Sequence, residues 1–384
     1  MRLRHLDGLR GLACLQVMLL HVFSAFFPAL VFGPLQPAGV LRYGLRALFM
    51  FSYNGFVGVF IFFYISGYVL TRVYEASSAT IGREIAARVL RLWLPTTIFG
   101  LWSAALFLVF PTSHIQLGTL THNLWIVQNW AVDPHLAAMT ADIFIRPIFL
   151  GYHGAPITQI LPDLDHLLIR KVTTLNLPVH TMSAELQGSA LVLALTRLRR
   201  SALSLWAMAI VAAILLLPLW YVLFCIGHLC ATLRLGERDW RANTRAMSGL
   251  AVPCIILGIL FAWPLMGALL QMIGAGLFFV GVLISVPCRR FLSHRWLLRL
   301  GDLSFTLYLL HWALLFGPGA WLALHLIPLL GFTGARIAAA LCVLLGAPAL
   351  AWRLIGIDRW AVALSRRVKQ AGSSRRTAWN PAPT

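Results

Sequence analysis

The chain has 384 residues, of which 60% are hydrophobic and only 11% are charged. Soluble domains carry about a quarter charged residues, so this composition excludes an ordinary soluble protein and indicates a chain that lies mostly in lipid. The net charge of +19 does not indicate a nucleic-acid-binding protein, because the basic residues stand in clusters at the ends of apolar runs.

The predicted elements are apolar runs that alternate with arginine clusters. The clusters lie around positions 2–10, 72–91, 197–200, 234–245, 289–299 and 353–376. Because such clusters mark the cytoplasmic side, the pattern predicts an all-α, polytopic transmembrane bundle of about ten helices with both termini in the cytoplasm. The predicted spans are residues 10–30, 51–71, 92–111, 182–197, 201–217, 219–234, 249–266, 267–287, 302–320 and 334–354.

The N-terminus is basic and then apolar, like a signal peptide, but it has no clear small-residue cleavage site, so we interpret it as a retained first helix. The six cysteines lie mostly in apolar runs and form no C-x-x-C pair. We therefore expect neither a disulfide nor a zinc site.

Residues 112–181 are more polar and rich in proline, and by alternation they lie outside the cytoplasm. Within them, Asp163, Asp165 and His166 resemble a loose metal cluster but lack a second histidine at helical spacing, so we expect no metal. We predict one transmembrane domain, residues 1–364, that includes this outer segment, and a basic, disordered cytoplasmic tail, residues 365–384.

Arg10 and His21 are an unusual pair in the first apolar run. Their spacing corresponds to about three helical turns, which places both side chains on one helix face, roughly 16 Å apart along the axis. Arg10 then lies near the cytoplasmic surface and His21 beyond mid-membrane. Ionisable groups inside a membrane helix indicate function by default. The alternative is a snorkelling arginine and a histidine that only packs helices together.

Five short stretches follow one another along the chain. They are His5-Leu-Asp-Gly-Leu-Arg-Gly-Leu12 with His21, Gly58-Val-Phe-Ile-Phe-Phe-Tyr-Ile-Ser-Gly-Tyr68, Arg88-Val-Leu-Arg91, His180-Thr-Met-Ser-Ala-Glu185 and Gly301-Asp-Leu-Ser-Phe-Thr-Leu-Tyr-Leu-Leu-His311. In this order they resemble the motifs of the membrane acyltransferase 3 family, over residues 5 to about 355. The stretch with Glu185 departs from that family's pattern, because it lacks the Trp and the Phe-Tyr that many members carry.

The resemblance implies a set of site residues. His21 and Glu185 are the candidate catalytic residues, Arg10, Arg88 and Arg91 the candidate donor-binding residues, and Ser66, Tyr68, Ser304, Tyr308 and His311 supporting residues. Acyl transfer to a hydroxyl needs a base, which a neutral histidine provides near pH 7, and arginine suits the phosphates of coenzyme A. Each of these roles has a simpler alternative. The arginines can serve only to set the membrane topology, Glu185 can be an acid that is favoured at a helix N-terminus, and the polar face with His311 can serve only helix packing.

The function implied is an O-acyltransferase, with acetyl as the expected acyl group. It would move the group from cytoplasmic acyl-coenzyme A to a hydroxyl of an extracytoplasmic acceptor, with a cell-surface polysaccharide as the expected class. The expected location is the plasma (bacterial inner) membrane, with no bound cofactor and no nucleic-acid partner. Two alternatives remain open: an acyltransferase that modifies a secondary metabolite or a lipid, and a non-catalytic membrane transporter.

Overall fold

The computed structural model describes residues 3–33, 40–153, 156–160, 168, 173–237, 244–263 and 266–371. No strand occurs in these ranges, which confirms the all-α prediction. The helices are α1 (Arg4–Phe26), α2 (Pro28–Phe32), α3 (Val40–Phe51), α4 (Gly55–Glu75), α5 (Ile81–Val109), α6 (Ser113–Leu120), α7 (Leu124–Gln128), α8 (Leu136–Phe144), α9 (Thr181–Ser201), α10 (Leu203–Leu216), α11 (Leu219–Thr232), α12 (Thr244–Phe261), α13 (Ala268–Ile284), α14 (Val286–Leu292), α15 (Arg295–Leu314) and α16 (Ala320–Gln370).

Several helices are suited to a membrane. Four segments in the described ranges are long and apolar enough to cross a bilayer: Arg4–Phe26, Gly55–Glu75, Ile81–Val109 and Arg295–Gln370. Helices α13 and α14, which meet at a bend of 93°, together make a possible fifth. Three shorter apolar helices accompany them. This is the composition of an integral membrane protein, whereas the count of ten crossings and the cytoplasmic termini stay predictions.

Helix α1 lies at the centre, packed against α4 and α15. Glycines permit this close approach: a Cβ on Gly8 would lie only 2.0 Å from the carbonyl oxygen of Leu292. A Cβ on Gly11 would lie 2.6 Å from the nitrogen of Gly301, and one on Gly301 would lie 2.0 Å from the carbonyl oxygen of Asp7. Small residues let membrane helices approach backbone to backbone, so Gly11 on α1 and Gly301 on α15 bring Arg10 against α15, while Gly8 lies against the end of α14.

Helices α4 and α11 meet in the same way. A Cβ on Gly67 would lie 2.2 Å from the carbonyl oxygen of Phe224, and one on Gly227 would lie 2.2 Å from that of Tyr64. The glycine between Ser66 and Tyr68 is therefore required for packing.

The last two long helices differ from the predicted spans 302–320 and 334–354. Helix α15 continues through a π-helical turn, Leu315–Gly319, into α16, so most of the predicted connection is helical. The chain reverses at Gly331, where φ is +69°, a left-handed conformation that glycine adopts without strain. Helix α16 then continues to Gln370, so residues 365–370 are helical instead of disordered. The rest of the predicted tail, from residue 372, lies outside the described residues.

The segment predicted to lie outside the cytoplasm is fastened to the bundle. Asn123 caps α7 and donates from Nδ2 to the carbonyl oxygens of Ser24, at 2.8 Å, and Ala25, at 2.9 Å, at the end of α1. Asn176 donates to the carbonyl oxygen of Leu309, at 2.5 Å. The described part of this segment therefore packs onto the end of the bundle. The loose cluster at positions 163–166 lies outside the described residues.

Candidate active site

Two histidines meet in the core between α1 and α15. Nδ1 of His21 lies 2.9 Å from Nε2 of His311, and the ring planes differ by only 8°. His21 is 8% exposed and His311 is 1% exposed. Nδ1 of His311 lies 3.0 Å from the carbonyl oxygen of Leu307, one turn earlier in α15. The hydrogen-bond partner of His21 is therefore His311 and not Glu185, the other candidate catalytic residue.

These contacts fix the tautomers of the neutral pair. A carbonyl oxygen can only accept, so Nδ1 of His311 carries the proton and its Nε2 accepts. Nδ1 of His21 must then donate to it, which leaves the lone pair of His21 Nε2 free. This nitrogen has no hydrogen-bond partner among the described residues. His21 is thus held in the state in which an imidazole takes up a proton.

Aromatic rings surround His21 on the side of the outer segment. The ring of Trp312 stands edge-on to it, with centroids 5.0 Å apart. The half-buried ring of Trp125 lies nearly parallel to it, at a centroid distance of 6.2 Å. Trp125 belongs to α7, which Asn123 fastens to the end of α1. The outer segment therefore supplies one wall of the surroundings of His21.

A narrow cavity of about 160 Å³ lies between α1, α4, α5, α9 and α15, and neither His21 nor His311 is among its lining residues. Seven of the predicted site residues line it: Arg10, Ser66, Arg88, Arg91, Glu185, Ser304 and Tyr308. The rest of its wall is mainly apolar, with Phe62, Phe63 and Met182 among the lining residues. The ring of Tyr308 lies 6.1 Å from that of His311, so this end of the cavity is one helical turn from the pair.

Hydrogen bonds join the polar residues that line the narrow cavity on α1 and α9 to α15. Arg10 donates from Nε to Oγ of Ser304, at 3.0 Å, and from Nη2 to the carbonyl oxygen of Gly301, at 2.9 Å. Tyr308 donates to the carbonyl oxygen of Pro178, at 2.8 Å, and its hydroxyl lies 3.0 Å from that of Thr181. The α1 and α9 ends of the cavity are thereby tied to the helix that carries His311.

Arg88 and Glu185 form an ion pair in the cavity wall. Ser66 donates to the same carboxylate oxygen of Glu185, at 2.6 Å, and Arg88 also donates from Nε to Ser189, at 2.7 Å. The sequence placed Glu185 near the outer face and Arg88 at the cytoplasmic face, but their contact shows that both lie at one depth. Arg91 pairs with Asp358 of α16, so neither arginine is free.

A second, wider cavity of about 910 Å³ adjoins the narrow one, and both share Arg10, Ile65 and Val69 in their walls. Its charged lining consists of Asp7, Arg10, Arg72, Glu75, Arg199, Arg200, Arg234 and Glu237. All of these arginines belong to clusters that the sequence indicated as cytoplasmic, but of the five only Arg10 was also predicted to bind the donor. Arg234 has a left-handed φ of 55° and no side-chain partner among the described residues.

Two further findings concern the predicted residues. Tyr68 lines neither cavity and donates to the carbonyl oxygen of Leu235, at 2.7 Å, so it fastens the loop that carries Glu237. Asp358 was missed, although one acid in the basic end of α16 is conspicuous in a chain with 12 acidic residues. Within the described ranges, no three His, Cys, Asp or Glu side chains gather as a metal site requires.

Comparison with known families decides the class of enzyme. The family model described as an acyltransferase domain, acyltransferase 3, matches residues 3–352, nearly the whole chain. The chain belongs to the acyltransferase 3 family. It is therefore a membrane acyltransferase, an enzyme that transfers acyl groups other than aminoacyl groups. No curated protein and no solved structure matches the chain. The acyltransferase 3 assignment favours the enzyme over the transporter.

Proposed function

We propose that this acyltransferase moves an acyl group, with acetyl expected, from acyl-coenzyme A to a hydroxyl of an extracytoplasmic carbohydrate. The observation that carries the proposal is the proximity of three features: a wide basic cavity, a narrow cavity that shares Arg10 with it, and the pair of His21 and His311, one helical turn from Tyr308 in the wall of the narrow cavity. The phosphates of a polyanionic donor need cationic partners, whereas a buried general base needs a free lone pair, so the two require separate environments.

The wide cavity is the proposed site for the phosphates of the donor. Five arginines line it, on the side that the positive-inside rule assigns to the cytoplasm, where acyl-coenzyme A is made. Arg10 belongs to both cavities, so a donor whose phosphates meet Arg10 can extend its thiol arm along the narrow cavity. This proposal widens the predicted donor site beyond Arg10, Arg88 and Arg91.

His21 is the proposed general base. Its free Nε2 takes the proton of the acceptor hydroxyl, while its Nδ1–H stays bonded to His311. The hydroxyl oxygen attacks the thioester carbonyl carbon, the carbon–sulfur bond breaks, and the thiolate of coenzyme A leaves and receives the proton. Glu185 has no catalytic role in this scheme, because its carboxylate holds Arg88 and Ser66 in the cavity wall.

The acceptor is proposed to arrive from the side of the outer segment. Trp125 faces His21 there and remains half-buried, so the route to His21 from that side passes an aromatic face. Indole rings combine a large apolar surface with one polar N–H, which suits the apolar faces and hydroxyls of a sugar ring.

Transfer by vesicles that contain the purified chain tests this function. Acetyl-coenzyme A is added outside inside-out vesicles, and a panel of soluble oligosaccharides is enclosed within them. We expect release of free thiol outside and acetyl esters on the enclosed sugars. The matched control is His325→Gln, a change of an exposed histidine in the second turn of α16 that lines neither cavity, which should leave both signals intact.

Two outcomes would contradict the proposal in different ways. If the wild-type chain released no thiol from acetyl-coenzyme A, then acetyl-coenzyme A would not be its donor. Transfer only when donor and acceptor share one side would favour the alternative acyltransferase that modifies a metabolite or lipid.

A further inference from the structure

One face of α5 carries three charged residues, and each is paired across to another helix. Glu84, Arg88 and Arg91 stand at i, i+4 and i+7, which places them on one side of the helix. Arg88 pairs with Glu185 of α9, as described above. The other two pair with the C-terminal part of α16: Nζ of Lys369 lies 2.6 Å from Oε2 of Glu84, and Arg91 bonds Asp358.

The two ion pairs between α5 and α16 agree with an antiparallel packing of these two helices. Lys369 follows Asp358 on α16 by about three turns, whereas Glu84 precedes Arg91 on α5 by about two. Helices that run in opposite directions bring such residues together in this order. Glu84 is fully buried, and the Lys369 ammonium is its only ionic partner among the described residues.

Buried ion pairs of this kind contribute geometry more than net stability. Apolar replacements of buried pairs are often neutral or stabilising, so the best-attested use of a buried pair is to fix a register. Arg91 illustrates this: both its terminal nitrogens face the Asp358 carboxylate, and its guanidinium stands over the ring of Phe305, 5.3 Å from the ring centre. The plane of the Arg91 fork is therefore fixed by α16 while the residue lines the narrow cavity.

We propose that Asp358 and Lys369 are positioning residues for the donor site. Asp358 orients the Arg91 guanidinium directly. Lys369 holds Glu84 in the first turn of α5 and thereby the helix on which Arg88 and Arg91 lie one and two turns later. Both residues lie beyond residue 352, where the family match ends, so the device belongs to this chain's own C-terminal helix. The inference rests on the proposed donor function of the cavities.

Steady-state kinetics of the full-length chain in nanodiscs test the inference, with acetyl-coenzyme A as the probe and thiol release as the signal. Asp358→Asn keeps the shape of the side chain and removes its charge. We expect KM for acetyl-coenzyme A to rise by roughly tenfold to a hundredfold, as for a displaced positioning group, while kcat stays within about twofold. In a double-mutant cycle, Asp358→Asn should add nothing to Arg91→Ala, because Asp358 acts through Arg91.

Lys369 is tested by charge reversal. Lys369→Glu should raise KM for the donor, and the swap Glu84→Lys with Lys369→Glu should restore it. Arg366→Gln is the matched control, since Arg366 is an exposed cation on the same part of α16 with no ion pair among the described residues, and it should leave KM unchanged. Should Lys369→Glu fail to fold, the swap and Asp358→Asn still decide the question.

The outcomes are distinguishable. Normal KM values in Asp358→Asn and in Lys369→Glu, with an active wild-type chain, would overturn the positioning role alone. Additive losses in the cycle, or no recovery in the swap, would also overturn it. A wild-type chain without any donor turnover would overturn the proposed function and this inference with it.

Discussion

At the scale of single residues, the histidine pair distinguishes two imidazoles that sequence spacing offers as competing bases. Both nitrogens of His311 are engaged, one with Leu307 and one with His21. His21 has one nitrogen engaged and the other free. Since a general base needs a free lone pair, the hydrogen bonds favour His21 as the base and His311 as the group that orients it.

Glutamine substitutions separate these two roles. We expect His21→Gln to lower transfer by roughly 10²–10⁴-fold with donor binding intact, because glutamine forms hydrogen bonds but takes no proton. His311→Gln should cost less, since its amide oxygen can still accept from His21, and His311→Leu should cost more. Turnover and donor affinity on the same preparations measure this. Near-normal turnover in His21→Gln beside a collapse in His311→Gln would make His311 the base.

Arg88 has a structural and a proposed donor-binding role, which a second substitution separates. Arg88→Ala leaves Glu185, 8% exposed, without its cation, and the uncompensated charge should lower stability by roughly 3–5 kcal/mol. Adding Glu185→Gln should recover most of that stability but not donor affinity. Denaturation midpoints and acetyl-coenzyme A affinity report the two effects. Full recovery of both would leave Arg88 a purely structural residue.

At the scale of elements, the crossing of α1 and α15 sets the distance between the cavity wall and the histidine pair. Arg10 bonds Gly301 and Ser304, and His21 bonds His311, so the two helices run side by side in one direction. The contacts depend on backbone approach at Gly11 and Gly301. Any added volume there must separate the helices or rotate one of them.

Alanine at this crossing should therefore impair both fold and function. A Cβ on Gly11 would lie 2.6 Å from the backbone nitrogen of Gly301, and such overpacking should cost about 1–3 kcal/mol and reduce turnover. Gly346→Ala is the matched control, because a Cβ on this helical, exposed glycine meets nothing within 4 Å. Thermal stability and thiol release test the pair. If Gly11→Ala and Gly346→Ala had equal effects, the crossing of α1 and α15 would tolerate a larger distance between the two helices.

The outer segment contains a buried histidine that should make its docking sensitive to acid. His114 is 1% exposed, both its ring nitrogens lack hydrogen-bond partners in the part of the chain that the structure describes, and it packs between Trp130 and Phe316. Burial lowers the pKa of His114 from 6.5 to about 4. The unfolded segment takes a proton below 6.5 and the folded one only near 4, so stability is complete above 6.5 and falls as the pH drops towards 4.

The change amounts to roughly 3 kcal/mol when the pH falls through that window. We expect protease cleavage within residues 113–130 to increase between pH 7 and pH 4.5 in the wild type and to change little in His114→Phe. His122→Phe, which alters an exposed histidine in the same segment, is the control. An acid-induced increase of equal size in His114→Phe would show that another group causes it.

Sequence patterns predicted the helices but not the partners within the site. Apolar periodicity is local, so α1, α4 and α5 and the shared face of Arg10 and His21 could be predicted. The ion pair of Arg91 and Asp358 joins residues 267 positions apart, and the contact of His21 with His311 joins residues 290 positions apart. Such pairs depend on which helices cross at which depth, and a span assignment does not fix depth. That is why the contact between Glu185 and Arg88 was not expected.

At the scale of the whole molecule, the connections that carry the arginine clusters meet at one end. Arg197 donates to the carbonyl oxygen of Ala79, at 2.7 Å, which joins the end of α9 to the turn between α4 and α5. Arg289 donates to the carbonyl oxygen of Gly236, at 2.5 Å, which joins α14 to the loop after α11. Thr196 and Glu237, the chain neighbours of Arg197 and Gly236, line the wide cavity, so the basic ends of several helices share one side. By the positive-inside rule, this charge bias predicts one orientation for the entire bundle.

The orientation itself is the last prediction. We expect Arg200, Arg295 and the C-terminal tail to be cytoplasmic, together with Arg241, which lies outside the described residues. From Gly331 to Gln370 the final helix is about 58 Å long at ~1.5 Å per residue, nearly twice the ~30 Å hydrocarbon core. A helix that turns at the outer surface therefore extends well past the cytoplasmic one, where Lys369 meets Glu84. Reporter fusions after residues 200 and 371 should show cytoplasmic activity, and a fusion at Gly331 should show the opposite. A tail fusion on the same side as Gly331 would overturn the even number of crossings and move the proposed donor cavity to the wrong face of the membrane.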